Sequence, residues 1–167
     1  MAFPAADSLP DKFVDCLLTY EDKRFFYHPG IDPAAIFRAI RLNGKAGRVV
    51  SGGSTLTMQL ARIARGNQDR TFYEKTIEMC WALFLETTYS KQEILNLYAS
   101  HAPFGGNVIG LETAAWRYFG RSASELSWAE SATLAVLPNS PALIHPGRNR
   151  KQPKEKRDRL LASLQKK

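Results

Sequence analysis

The stretch Thr71-Phe72-Tyr73-Glu74-Lys75-Thr76-Ile77-Glu78-Met79-Cys80-Trp81-Ala82-Leu83-Phe84-Leu85-Glu86 decides the fold class. Its apolar residues Ile77, Cys80, Trp81, Phe84 and Leu85 recur at the three- and four-residue steps of a helix face. They cover so much of the circumference that the helix is predicted to be largely buried. Lys75 and Glu78 stand three apart and so share a face. On an exposed helix they form a surface ion pair worth roughly a few tenths of a kcal/mol. On a buried one, each charge needs a partner or a cleft.

The same period continues on both sides of this helix. Upstream, Ser54 to Arg65 is predicted helical, with Leu56, Leu60 and Ile63 on one side. Asn43 to Gly53 holds four glycines with Lys45 and Arg48, and reads as a mobile loop. Asp32-Pro33 is an N-cap followed by proline at the first helical position, opening a helix through Ile36, Ile40 and Leu42. Pro29-Gly30 breaks the chain before it, and Pro10–Tyr20 carries a helical stripe of Phe13, Val14, Leu17 and Leu18. Downstream, Ser90-Lys91-Gln92-Glu93 and Ser127-Trp128-Ala129-Glu130 are capping boxes, with a short helix at Leu111 to Phe119 between them. The last of these helices stops at Pro138. Neither the period-two alternation of strands nor βαβ punctuation occurs, so the reading is a single, mostly α domain without internal repeats.

Composition agrees with a globular chain. Of 167 residues, 44% are hydrophobic and 23% charged, which excludes disorder and collagen-like repeats. Cys16 and Cys80 are too few for a disulfide scaffold, lack metal-ligand spacing, and both read as core thiols. No apolar run reaches the roughly 18 residues that span a bilayer, and no signal-peptide pattern precedes Asp7, so the chain reads as soluble or peripheral. The net charge of +7 sits entirely in the last twenty residues, where nine basic side chains face Glu155 and Asp158. Residues 1–147 therefore read as a neutral domain, and 148–167 as a basic tail that starts a linker to a further domain. Within the neutral part, eight basic residues lie between Arg38 and Lys75 against only Asp69 and Glu74, a distribution that suits a phosphate-bearing partner.

Two more segments carry chemistry. Glu21-Asp22-Lys23-Arg24-Phe25-Phe26-Tyr27-His28-Pro29-Gly30 sets two carboxylates at a helix end beside aromatic rings and a histidine. A carboxylate stripped of water by such rings is shifted toward the range of a general base, whereas one paired with Lys23 or Arg24 is an ordinary surface turn. Gly52-Gly53-Ser54-Thr55 enters a helix whose free N–H groups favour an anion, with Gln59 and Arg62 one and two turns on. It lacks the Gly-Lys-Ser/Thr of a nucleotide P-loop.

These segments in this order resemble the family 51 peptidoglycan glycosyltransferases, the glycan-polymerising domain of class A penicillin-binding proteins. Glu21, Asp22, Phe25, His28 and Gly30 match the first family motif; Gly52, Gly53, Ser54, Thr55, Thr57 and Gln59 match the second. Lys75, Glu78, Leu85 and Glu86 match the third, and Tyr89 to Leu95 and Ala129 to Pro138 resemble the segments of the fourth and fifth. The resemblance runs from about Leu9 to Pro146. Glu74 departs from it, standing where an arginine usually precedes the lysine, as do Met58 and Ala99-Ser100-His101. Met58-Gln59, the run Ala102 to Asn107 and Leu137 to Pro141 are most similar to the penicillin-binding protein 1C subgroup.

The resemblance implies a lysozyme-like helical fold at the outer face of the cytoplasmic membrane, polymerising lipid II into β-1,4 glycan with inversion and release of undecaprenyl pyrophosphate. Glu21 and Glu78 are the implied catalytic residues, Glu21 as base and Glu78 positioning the donor or holding a divalent ion, magnesium or manganese, beside the phosphates. Asp22, His28, Arg48, Ser54, Thr55, Gln59, Arg62 and Lys75 are the implied substrate-binding residues. The expected partners are lipid II, the growing glycan chain, the outer leaflet and the glycolipid inhibitor moenomycin, with no nucleic acid. The apolar content of Ile31–Val50 (Ile31, Ile36, Phe37, Ile40, Leu42, Val49, Val50) implies a membrane-facing segment. A lytic enzyme on the same type of fold would have no use for a pyrophosphate-binding stretch between its motifs. A non-catalytic scaffold would have been expected to lose Glu21 or Glu78.

Overall fold

Capping residues place most of the helix starts. The computed structural model describes residues 9–48, 52–66, 71–138 and 151–165, and these described residues form eight α-helices. They are α1 (Asp11–Glu21), α2 (Pro33–Ala46), α3 (Leu56–Ala64), α4 (Phe72–Thr88), α5 (Lys91–His101), α6 (Leu111–Phe119), α7 (Trp128–Val136) and α8 (Lys151–Leu164). Among the described residues the sole β pairing is an isolated bridge between Pro103 and Ile109. Asp32 accepts from the Ala35 N–H at 3.0 Å with Pro33 in the first turn, as the sequence predicts for α2. Thr55 and Thr71 cap α3 and α4 in the same way, and the Ser90–Glu93 and Ser127–Glu130 boxes are both closed.

The helices pack as two compact units, Met1–Lys23 with Ala99–Lys167, and Arg24–Tyr98. In the first, α1 packs on α7 and α8, and α7 also on α6 and α8. Phe13, Cys16 and Leu17 of α1 are fully buried, as are Phe104, Ala114, Ala115, Leu134 and Ala135, with the Phe13 and Phe104 rings tilted at 6.3 Å. The Pro103–Ile109 turn carries three consecutive left-handed residues, Gly105, Gly106 and Asn107, and the Tyr118 hydroxyl donates to the carbonyls of Phe104 and Gly105 at 3.1 Å. The basic C-terminal segment supplies α8, whose Leu160 is buried.

In the second unit α3 packs on α4. Phe25, Leu56, Met58, Ala61, Ala82, Ile94 and Leu95 are completely buried. Gly30, at φ +86°, lies against α4 so closely that a Cβ there would meet the Ala82 carbonyl oxygen at 2.7 Å, so glycine is required twice over.

Three expectations are corrected. Asn43–Gly53 is not a loop throughout, because α2 runs through Asn43 and Gly44 to Ala46 and ends at Gly47 in the left-handed conformation. A single mid-helix glycine costs only about 1 kcal/mol relative to alanine, too little to end the helix. Val49, Val50 and Ser51 lie outside the described residues. The α4 helix is not largely buried either. It buries one strip, Glu78, Ala82 and Leu85, and exposes Phe72 (90%), Tyr73, Trp81, Leu83 and Phe84 (59%). Apolar content alone says nothing of how many neighbours a helix has. Cys80 lies on that exposed side and is no core thiol, whereas Cys16 is buried and its thiol is pushed up to about 12 by burial and by the Asp15 charge.

Candidate active site

The second unit gathers charge at the α3–α4 contact. Glu78 is 4% exposed, facing α3 from a helix whose other side is open. Arg62, in the last turn of α3, grips it with both arms, Nε to Oε1 and Nη2 to Oε2 at 3.1 Å. Lys75, one turn before it on α4, donates to Oε2 at 2.8 Å and to the Ser54 hydroxyl at 2.6 Å. Burial works to raise the Glu78 pKa, but hydrogen bonds and charge from Arg62 and Lys75 outweigh it and hold the carboxyl below its ordinary value of 4.5. Two cations on one carboxylate leave a net positive charge beside Ser54, at the glycine-flanked entry to α3. An anion is the ligand such a site suits.

A second network fixes the segment before α2. Glu86 accepts from the Thr57 hydroxyl at 2.6 Å and from Lys91 at 2.8 Å, and Lys91 also donates to the His28 carbonyl at 2.6 Å while lying 4.4 Å from the Phe25 ring centroid. The Thr55 hydroxyl donates to the Gly30 carbonyl and accepts from the Met58 N–H, joining the same segment to α3. Arg24 donates to Asp32 through Nε and Nη2, and the Asp32 carboxyl lies below its ordinary value of 3.8: burial opposes this, and Arg24, the Ala35 N–H and His28 prevail. His28 is buried here, and Gln59 accepts from the Tyr98 hydroxyl at 3.2 Å.

The predicted binding residues therefore divide. Ser54, Arg62, Lys75 and Glu78 form one hydrogen-bonded cluster; Thr55 and His28 belong to the second network, and Gln59 is bonded to Tyr98. Arg48 stands exposed past Gly47, outside that cluster. Glu21 and Asp22 end α1 in the first unit, Glu21 half-buried and Asp22 buried, with the Asp22 N–H bonded to the Leu18 carbonyl at 3.0 Å. The Glu21 charge contributes, after burial, to raising the Tyr20 pKa. Of the rings near them in sequence, Phe25 is buried, while Phe26 and Tyr27 are exposed. As a metal site the donor set does not fit: both Glu78 oxygens accept from cations, and among the described residues no three His, Cys, Asp or Glu side chains gather as ligands.

Two features went unread in the sequence. One is the Glu86–Lys91 pair. The other is an ion pair between Arg65, at the end of α3, and Glu74, in the first turn of α4. Its signal was present, since Arg65 follows Arg62 by one helical turn and Glu74 precedes Glu78 by one.

Comparison with known proteins bears on this arrangement. The family model described as Transglycosylase matches residues 2–165. The chain is 41% identical to penicillin-binding protein 1C of Escherichia coli over 158 residues, 95% of this chain and 20% of that protein. It is 38% identical to penicillin-binding protein 1A of Aquifex aeolicus over 162 residues (97% and 22%), and 36% identical to penicillin-binding protein 1F of Bacillus subtilis over 162 (95% and 22%). The chain spans about a fifth of the length of these curated relatives.

Proposed function

The chain belongs to the transglycosylase family, and from that premise we propose that it polymerises lipid II into β-1,4 glycan strands at the outer face of the cytoplasmic membrane. The observation that carries this reading is the Arg62–Glu78–Lys75–Ser54 cluster. An α-linked donor that yields a β-linked product must invert, so the acceptor 4-hydroxyl displaces the lipid pyrophosphate in line, without a covalent enzyme intermediate. Glu21 takes the hydroxyl proton as general base. Charge builds on the departing pyrophosphate, and Lys75 and Arg62 meet it, with Arg48 adding to the local field. Glu78 keeps the two cations together and so orients the donor end. A glycan-cleaving enzyme would gain nothing from this pair of cations.

No helix among the described residues is long and apolar enough to cross a membrane. Contact with the outer leaflet instead fits α2, which exposes Phe37, Ile40 and Leu42 interleaved with Arg38, Arg41 and Lys45. The test is polymerisation of labelled lipid II, with moenomycin as inhibitor. Glu21→Gln keeps the side-chain shape but accepts no proton at neutral pH, and is expected to lower the rate about 10²–10⁴-fold while moenomycin still binds. A rate above about a tenth of wild type would remove Glu21 from the role of base.

A further inference from the structure

Three cations and two carboxylates meet where α3 packs on α4. Arg62 lies in the last turn of α3 and Arg65 is its C-cap; Glu78 and Glu74 lie one turn apart on α4, and they pair rung by rung. Lys75 shares Glu78 with Arg62, and its side chain is the most exposed of the five, at 34% against 23% for Arg65 and 20% for Glu74. The Glu74 N–H is held by Thr71 at 3.1 Å, which fixes Glu74 at the helix start, immediately before Lys75 in the chain. Successive helical residues diverge by about 100°, so Glu74 turns toward Arg65 while Lys75 turns toward Ser54 and Glu78.

We infer that the Arg65–Glu74 pair sets how tightly the Lys75 site holds a pyrophosphate-bearing ligand: Glu74 offsets the Arg65 charge, and the balance between them tunes the field at Lys75. The inference rests on the pyrophosphate reading of that site. The pair acts at short range through a partly exposed region, so its influence is strong at low salt and screened at high salt. Moderate affinity serves a polymerase that must release its pyrophosphate-linked carrier after each transfer.

The sign of the effects separates this role from a merely structural one. Inhibition of lipid II polymerisation by inorganic pyrophosphate, and the KM for lipid II, are measured for Glu74→Gln, Arg65→Gln, the double variant and Lys75→Met, each with a thermal melt. Glu74→Gln removes a negative charge and is expected to tighten pyrophosphate about fivefold and lower KM. Arg65→Gln frees a negative charge and is expected to weaken pyrophosphate by about the same factor. The double variant is expected to return to wild type, and all differences shrink in about 1 M salt, where the Debye length is near 3 Å. Two single variants that both weaken binding would make the pair a tether between helices and overturn the inference. Two that both leave binding unchanged would overturn it as well. Should Glu74→Gln not fold, Arg65→Gln alone decides: weaker pyrophosphate supports the inference, while equal or tighter pyrophosphate sinks it. Lys75→Met tests the underlying reading separately, for if it leaves pyrophosphate inhibition intact, the anion is not held at this cluster at all.

Discussion

The α4 and α7 helices are both rich in apolar residues, and the molecule uses them in opposite ways. Of nine residues in α7, five are buried, namely Ser131, Ala132, Leu134, Ala135 and Val136. Of seventeen in α4, three are buried, and one of those is a glutamate. The difference lies in their neighbours. α7 has α1, α6 and α8 around it, whereas the buried strip of α4 is packed by α3 and the turn at Gly30. A helix enclosed on several sides spends its apolar residues on the core. A helix packed on one side leaves its rings in solvent, and its buried strip is free to carry charge, provided that a second helix supplies the counter-charge. In α4 that strip holds Glu78, with Arg62 opposite.

The sharpest way to break the contrast is to damage one helix at a time. Lys75→Met on α4 is expected to slow polymerisation by about a hundredfold and weaken moenomycin, as the loss of charge at a departing phosphate requires. Leu134→Ala on α7 is expected to cost about 2–5 kcal/mol of stability, read as a lower melting temperature, while turnover per folded molecule stays at the wild-type value. An unchanged moenomycin affinity for Lys75→Met would sink the pyrophosphate assignment. A drop in stability with no change in inhibitor binding would leave Lys75 and Glu78 as a structural bridge.

Smaller effects follow from the exposed rings. Phe84→Ser on α4 and Phe37→Glu on α2 change residues that are mostly in water, so melting should move by no more than about 0.5 kcal/mol equivalent. Binding to anionic liposomes should fall in both. A large loss of melting temperature with liposome binding intact would show that the rings complete a core instead.

The smallest effect is a pH dependence. The Glu78 pKa is lower folded than its ordinary 4.5, so between those values the unfolded chain binds more protons and stability rises with pH. The contribution of Glu78 is fully present above 4.5 and lost as pH falls through the folded value. The stability gap between wild type and Glu78→Gln should therefore narrow below pH 4.5, in melts taken across that range. The gap for Leu134→Ala, which carries no proton, should stay constant over the same range.

What could be read without coordinates was local. Caps, breaks and helical stripes depend on residues three or four apart, so Asp32, Ser90 and Ser127 announced α2, α5 and α7, and Lys75 announced its link to Glu78. What failed was tertiary. Arg62 lies sixteen residues from Glu78, and no spacing rule joins them. Cys16 and Cys80 sit in similar apolar sequence, yet one helix face is covered and the other open. Asn43 and Gly44 resembled a loop because propensity was weak there, but a weak helix former inside a capped helix is carried along by its neighbours.

The seat of Gly30 has a mechanical consequence. With no room for even a methyl group between it and the Ala82 carbonyl, the turn at Gly30 rides on the backbone of α4 at Ala82 and on the Glu86 side chain one turn further on. Rotation of α4 about its axis, or a slide along it, must carry that turn with it, and the Lys91 ammonium passes the displacement to the His28 carbonyl. The α4 backbone, the turn at Gly30 and the His28 carbonyl thus form one chain of close contacts and hydrogen bonds, without a loose joint between them.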